Sequence, residues 1–161
     1  MKFFPIKYYK AELSENNSIA MEKLKQNTDL TDLLVSDWTK KAFRGQVGEN
    51  RFKVISSEIG RGAVCVLIGE FEGTKGKIEI RIHKVFRIMF SILMLMPIFG
   101  FVIAFLTNGI ENSIGMIIPM IMGFLFVRFV FIELSFRFIS KTGLNKLKKI
   151  IGITKLEKVN E

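Results

Sequence analysis

Two long apolar segments, separated by a short polar stretch, limit what this chain can fold into. The first segment, from Ile88 to Ile110, contains no charged residue. At about 1.5 Å per residue, a helix of this length reaches roughly 35 Å, which exceeds the roughly 30 Å hydrocarbon core of a bilayer. The second, from Ile114 to Phe136, is interrupted only by Arg128 and Glu133. A chain this short has little globular core to bury such runs, so we predict two transmembrane helices.

Basic residues flank both apolar segments, and none lies between them. They are Lys77, Arg81, Lys84 and Arg87 before the first segment, and Arg137, Lys141, Lys146, Lys148 and Lys149 after the second. The connecting loop carries only Glu111. Because Lys and Arg remain on the inner side of a membrane, both termini are predicted to be cytoplasmic. Abundant Lys, Ile, Asn and Phe suit an AT-rich bacterium, so the expected location is a bacterial inner membrane.

The pattern divides the chain into three parts. Residues 1–84 are predicted to form a small cytosolic α+β domain. Residues 85–138 hold the transmembrane hairpin, with spans at about 88–108 and 114–136. Residues 139–161 form a basic cytosolic tail. The lipid bilayer is therefore the first expected partner.

The N-terminal domain alternates apolar and polar residues in several short runs. This period of two predicts an antiparallel meander of about four to five strands. The runs are Phe3–Leu13, Phe43–Val47, the stretch around Phe52 and Val54, Ala63–Phe71 and Ile78–Ile82. One or two helices complete the domain, the first over Ile19–Gln26. A second helix is predicted from Thr28 or Asp29 to about Lys41, with Trp38 anchoring it on the sheet.

The C-terminal tail carries a short apolar face opposite lysines. Leu144, Leu147, Ile150 and Ile151 share this face, and Gly152 can end the helix. A short basic amphipathic helix suits the membrane interface, which is the preferred interpretation. Packing of the same helix on the cytosolic sheet is the alternative.

Arg128 and Glu133 are the candidate functional residues, because an ionised side chain inside a membrane is a functional-site hypothesis by default. The preferred interpretation of Arg128 is nevertheless structural, with its side chain extended to the cytoplasmic headgroups, and a coupling or ion-path role is the alternative. Glu133 lies five residues further on, about 140° away around an α-helix, so we expect the two charges not to pair within one helix.

Small residues and prolines in the two spans suggest close helix packing. Gly100 and Ala104 form a small-xxx-small pair in the first span, and Gly123 lies in the second. Pro97 and Pro119 can bend the helices. Packing within the hairpin is the preferred interpretation, and homo-oligomerisation through Gly100 and Ala104 is the alternative.

No catalytic, cofactor-binding or metal-binding pattern is present in the sequence. His83 and Cys65 are the only residues of their types, and Cys65 lies in an apolar run typical of a core thiol. Gly60-Arg61-Gly62 and Gly73–Lys77 lack the remaining residues of nucleotide-binding loops. The net charge of +9 lies largely beside the spans and in the tail, so nucleic acid is not an expected partner.

Three functions fit these features, and the sequence ranks them. The first is a non-enzymatic accessory or regulatory subunit of a membrane complex, which binds a protein partner or a second copy of itself. The second is an oligomeric pore or transporter subunit, motivated by Arg128, the helix-bending prolines and the basic tail. The third is a membrane-interface enzyme acting on a lipid-linked substrate, and we expect no enzymatic activity.

Overall fold

The computed structural model describes residues 4–35, 39–58 and 62–159. The chain forms two compact units. One combines the N-terminal part, up to His83, with the C-terminal part from Phe136. The other is the intervening segment, Lys84–Ser135. The two ends of the chain therefore build the same unit.

A seven-stranded sheet is the centre of the first unit, which is α+β as predicted. Its strands are β1 (Ile6–Leu13), β2 (Thr28–Leu30), β3 (Phe43–Val47), β4 (Arg51–Ser56), β5 (Cys65–Glu72), β6 (Lys75–Ile82) and β7 (Ile153–Val159). Their order in the sheet is β2-β3-β4-β5-β6-β1-β7. Only β2 and β3 pair in parallel, and every other neighbouring pair is antiparallel. A short 3-10 turn, Gly62–Val64, precedes β5.

The predicted meander corresponds to strands β3 to β6, because alternation places one apolar row on a single face. The pairing register aligns Val54 with Leu67 and Leu67 with Ile80, and all three side chains are buried. Phe71 and Phe52 extend this face, with their rings stacked at 6.3 Å. The helix α1 (Asn17–Gln26) buries Ala20, Met21 and Leu24.

The C-terminal tail belongs to the sheet unit, so the preference for the membrane interface was wrong. Helix α4 (Ser135–Ile151) buries Leu144, Leu147 and Ile151. A Cβ on Gly143 would lie 3.3 Å from Leu67 Cδ1, so the helix backbone closely approaches β5. After α4 the chain adds β7 beside β1, from Tyr8↔Val159 to Leu13↔Ile153. This strand was not predicted, and with β2 it raises the strand number from four or five to seven.

The predicted helix over residues 28–41 was also wrong. Residues 28–30 form β2, whose residues pair with Phe43, Arg44 and Gly45 of β3. The described residues 31–35 and 39–42 are not helical, and Trp38 lies outside the described part of the chain. Edge pairing outweighs the helical apolar period here, because it satisfies backbone groups and brings Arg44 Nε within 3.4 Å of Asp29 Oδ2.

The second unit is a helical hairpin. Helix α2 (Lys84–Ser113) contains Pro97 and is interrupted at Gly109, where φ is +74°. A 3-10 turn (Ile114–Met116), helix α3 (Ile117–Leu125) and a π-helix (Phe126–Leu134) follow. A Cβ on Gly123 would lie 3.3 Å from Pro97 Cγ, so the two arms meet closely there.

Two helices are long and apolar enough to cross a membrane, by length and composition. They cover Lys84–Thr107 and Ile114–Ile151. Most of the large apolar side chains between residues 85 and 134 are exposed, among them Leu106 at 76% and Ile118 at 68%. Such a continuous apolar surface needs a covering, because water contact with it is unfavourable.

Packing of the tail on the sheet gives a stability prediction. Leu147 is fully buried, so Leu147→Ala should lower the free energy of unfolding by about 2–5 kcal/mol. The adjacent Lys148 is exposed, and Lys148→Ala should change the same quantity by no more than about 0.5 kcal/mol. Chemical denaturation in detergent measures both values. Equal effects of the two substitutions would contradict the packed tail.

Candidate functional site

Arg128 and Glu133 form an ion pair on the π-helix. Nη1 of Arg128 lies 3.5 Å from Oε2 of Glu133. A π-helix bonds residue i to residue i+5, so side chains five residues apart lie much closer around its axis than the roughly 140° that separates them in an α-helix. Phe126 and Phe131 show the same spacing, with ring centroids 6.3 Å apart. The π turns therefore bring together two charges that an α-helix holds apart.

The expectation that these two charges do not pair within one helix was wrong. It assumed the 100° step per residue of an α-helix, and the π-helix between Phe126 and Leu134 changes that step. No residue in this segment predicts a π-helix, because its apolar pattern is compatible with an α-helix or a π-helix. A carboxylate five residues after an arginine in an apolar run was the available signal.

The surroundings of Arg128 shield its charge. Its side chain is 14% exposed and that of Glu133 is 28% exposed. The guanidinium carbon lies 5.5 Å from the ring centroid of Phe129, which adds a cation–π contact. Nη1 is buried and has no hydrogen-bond partner among the described residues. The cation is therefore held by electrostatic attraction to Glu133 and to the ring, with hydrogen-bonding capacity left over.

The three small residues predicted to pack helices have different surroundings. Gly123 faces Pro97 within the hairpin. Ala104 is 8% exposed, whereas a Cβ on Gly100 would meet nothing within 4 Å. Gly100 and Ala104 therefore do not share one environment.

A second polar contact, which the sequence did not reveal, joins β1 to α4. Lys7 Nζ donates to Ser140 Oγ at 2.7 Å and lies 5.0 Å from the centroid of the Phe136 ring. Ser140 donates in turn to the carbonyl of Arg137. Because Ser140 is 1% exposed, its hydroxyl cannot reach a substrate, and the contact acts as a structural anchor. The sequence signal for this contact was that Lys7 lies on the same face of β1 as the apolar Ala11, which indicates a lysine that needs a partner at the buried face.

Cys65 and His83 carry the remaining side chains, a thiol and an imidazole, that the sequence raised as candidates for reactivity or titration. Burial raises the pKa of the Cys65 thiol to about 12, although the charge of Lys7 opposes the shift. The thiol is therefore protonated and unreactive at neutral pH, as its apolar strand predicted. Burial, assisted by the positive charge of Lys53, lowers the pKa of His83.

The face of the sheet opposite Leu67 and Ile80 carries a depression of about 770 Å³. Its charged lining residues are Lys10, Lys75, Lys77 and Lys155 with Glu12, Glu70, Glu72 and Glu157. We call these eight residues the charged face. Its equal numbers of Lys and Glu suit a protein surface of mixed charge better than a polyanion. Sequence reasoning missed the face because its eight residues come from four strands whose register was unknown.

Among the described residues, no group of three or more His, Cys, Asp or Glu side chains could hold a metal ion. No protein-family model, curated protein or solved structure matches the chain. The candidate site is therefore defined by its geometry alone, as the Arg128–Glu133 pair on the π-helix.

The pair can be tested by a double-mutant cycle. Arg128→Leu and Glu133→Leu should each destabilise the protein, because each leaves the other charge without this partner in shielded surroundings. The double variant should regain part of the loss, with a coupling energy of about 1 kcal/mol or more. Thermal unfolding in detergent provides the measurement.

The matched control is the Arg51–Glu70 pair on the sheet. Its side chains are 76% and 52% exposed, so the same cycle should give less than about 1 kcal/mol. Additive effects at Arg128 and Glu133 would show that their proximity contributes no stability.

Proposed function

We propose that the protein is an integral protein of a bacterial inner membrane, in which the hairpin crosses the bilayer twice. Both termini lie in the cytoplasm. The sheet unit serves there as a non-enzymatic binding module for a protein partner, as an accessory or regulatory subunit of a membrane complex does.

The observation that carries this proposal is the pairing of β7 with β1. These strands come from the two ends of the chain, and the hairpin is inserted between them. A sheet assembled from both ends requires the hairpin to leave and return on the same side of a membrane. An even number of crossings meets that requirement. The lysines and arginines beside the apolar segments favour the cytoplasmic side.

The apolar surface of the hairpin supports lipid as its covering. Ile118, Met122 and Leu125 are all exposed, and a bilayer accepts such a helix because its backbone groups are satisfied internally. Arg128 and Glu133 compensate each other's charge, which lowers the cost of burying two ionised groups in hydrocarbon.

The topology can be tested by cysteine labelling. Glu111→Cys lies in the predicted external loop. A membrane-impermeant maleimide should therefore label it in bacterial cells that have lost their outer barrier but keep a sealed inner membrane. Lys40→Cys lies in the sheet unit and should be labelled only after the membrane is opened. The parent chain is the control, because Cys65 is buried. Labelling of Lys40→Cys in sealed cells would overturn the proposed orientation.

The charged face supports a protein partner, and its charges allow a direct test. Lys75→Glu with Lys77→Glu reverses two neighbouring charges on β6, and we expect the variant to lose a partner that co-purifies with the parent chain in mild detergent. Lys148→Glu with Lys149→Glu, on exposed positions of α4, should retain it. Recovery of the parent chain with no other protein would count against an accessory subunit.

The second function, an oligomeric pore or transporter subunit, stays a prediction. Arg128, one of the features that motivated it, lies close enough to Glu133 for the two charges to neutralise each other. A role in carrying an ion requires that pair to separate, so we rank this function second.

A further inference from the structure

Strand β7 forms one edge of the sheet that the described residues build. It pairs with β1 on one side, and it is the last strand in the order of the sheet. Its seven residues, Ile153–Val159, are enough for a full strand pairing. An edge of this length offers backbone N–H and C=O groups to another strand.

The sequence of β7 is self-complementary about its middle residue, Leu156. We propose that β7 pairs antiparallel with β7 of a second copy of this chain, in the register that places Leu156 opposite Leu156. In that register Lys155 of each copy lies opposite Glu157 of the other copy.

The charges of β1 extend this complementarity across the junction. Within one copy, Lys10 pairs with Glu157 and Glu12 with Lys155. The proposed pairing therefore continues as one row through the two sheets: Glu12, Lys155, then Glu157 and Lys10 of the second copy. The row alternates negative and positive charge at every step. Opposite charges that face each other across strands stabilise a pairing, and like charges weaken it.

Alternative registers are disfavoured by the same residues. A shift of one residue is excluded, because residues opposed in a sheet must project to the same face. A shift of two residues in either direction places Lys155 opposite Lys155, or Glu157 opposite Glu157, across the two copies. Lysines on an edge strand often prevent association. Here Glu157 compensates Lys155 in one register and leaves the others repulsive.

In a single copy the same two side chains pair with each other in solvent. Lys155 Nζ lies 2.9 Å from Glu157 Oε1, and both side chains are about 60% exposed. An ion pair this exposed contributes little stability, so exchanging it for pairs between copies costs little. The irregularity in the β1–β7 register falls at Glu12/Leu13, beyond the central three residue pairs.

The association should be weak, because one strand junction buries less than the roughly 1,000 Å² expected of a stable interface. Concentrating the chain in two dimensions, as a membrane does, would favour it. The inference itself rests on the edge strand and its charges, and it does not depend on the proposed function.

Charge reversal tests the pairing directly. In the full chain in mild detergent, Lys155→Glu or Glu157→Lys should weaken self-association about tenfold, because each places two like-charge pairs at the junction. The double variant with both changes should regain most of the lost association, because opposite charges again face each other across the junction. Recovery should stop short of the parent value, because the swap also places like charges opposite Glu12 and Lys10 of β1. A mixture of the two single variants should form heterodimers more readily than either variant forms homodimers. Sedimentation at several concentrations measures each case.

Cysteine cross-linking tests the register. Leu156→Cys should form a disulfide-linked dimer by itself, because directly opposed residues lie within disulfide distance. Lys155→Cys and Glu157→Cys, which are opposed across the two copies in this register, should cross-link efficiently only when mixed. The parent chain, whose Cys65 is buried, is the background control. Equal cross-linking at all three positions, failure of the swapped double variant to regain association, or a monomeric parent chain at every concentration would overturn the proposal.

Discussion

Strand β1 joins the meander of the sheet unit to the C-terminal segment, because it is paired along both of its edges. On one edge it pairs with β6, the last strand of the meander, and on the other with β7, the last strand of the chain. Removing the β7 pairing would separate the C-terminal segment from the sheet, leaving α4 held by side chains alone. The helical hairpin can therefore be a long insertion without dividing the sheet unit. The strand before it, β6, and the strand that follows it in the sheet, β7, are both paired with β1. Lys7 of β1 adds a third tie, by its hydrogen bond to Ser140 of α4.

The hairpin has a different organising interaction, the charge pair on its π-helix. An arginine in apolar surroundings needs a compensating charge, and Glu133 supplies one only because the helix bonds i to i+5 over this segment. A π-helix is rare, and stretches of it often lie at functional sites. The functional and the structural interpretation of Arg128 both require the π-helix that brings Glu133 close to it. They differ in whether the pair ever separates.

The described residues of the sheet unit form two surfaces that lie outside its own packing, the charged face and the edge of β7. The charged face combines lysines and glutamates from four strands. Strand β7, at the edge of the sheet, contributes one residue of each sign to it, Lys155 and Glu157. Lys155 and Glu157 belong to both surfaces, so pairing with a second copy would extend the charged face across two chains. Under the proposed function, a pair of copies would present a larger binding surface than one copy carries.

Local sequence patterns were sufficient for the meander, the first helix and the two long apolar helices, because each depends on residues close together in the chain. The alternation of Ile78, Ile80 and Ile82 assigns both a strand and its buried face, and the length of the uncharged run from Ile88 is independent of any partner.

Three features depended on contacts between distant residues. Thr28–Leu30 joined β3 as a strand because edge pairing outweighed a helical apolar stripe. Ile153–Val159 became a strand because β1 had a free edge to pair with. The apolar face at Leu144 and Leu147 suited a membrane or a sheet equally well from sequence, and the close approach of Gly143 to Leu67 decided for the sheet. The pairing of Arg128 with Glu133 was likewise decided in the folded chain, since it depends on the π-helix. The sequence by itself determined where the chain is apolar, charged and extended, and the tertiary structure decided which of those surfaces meet.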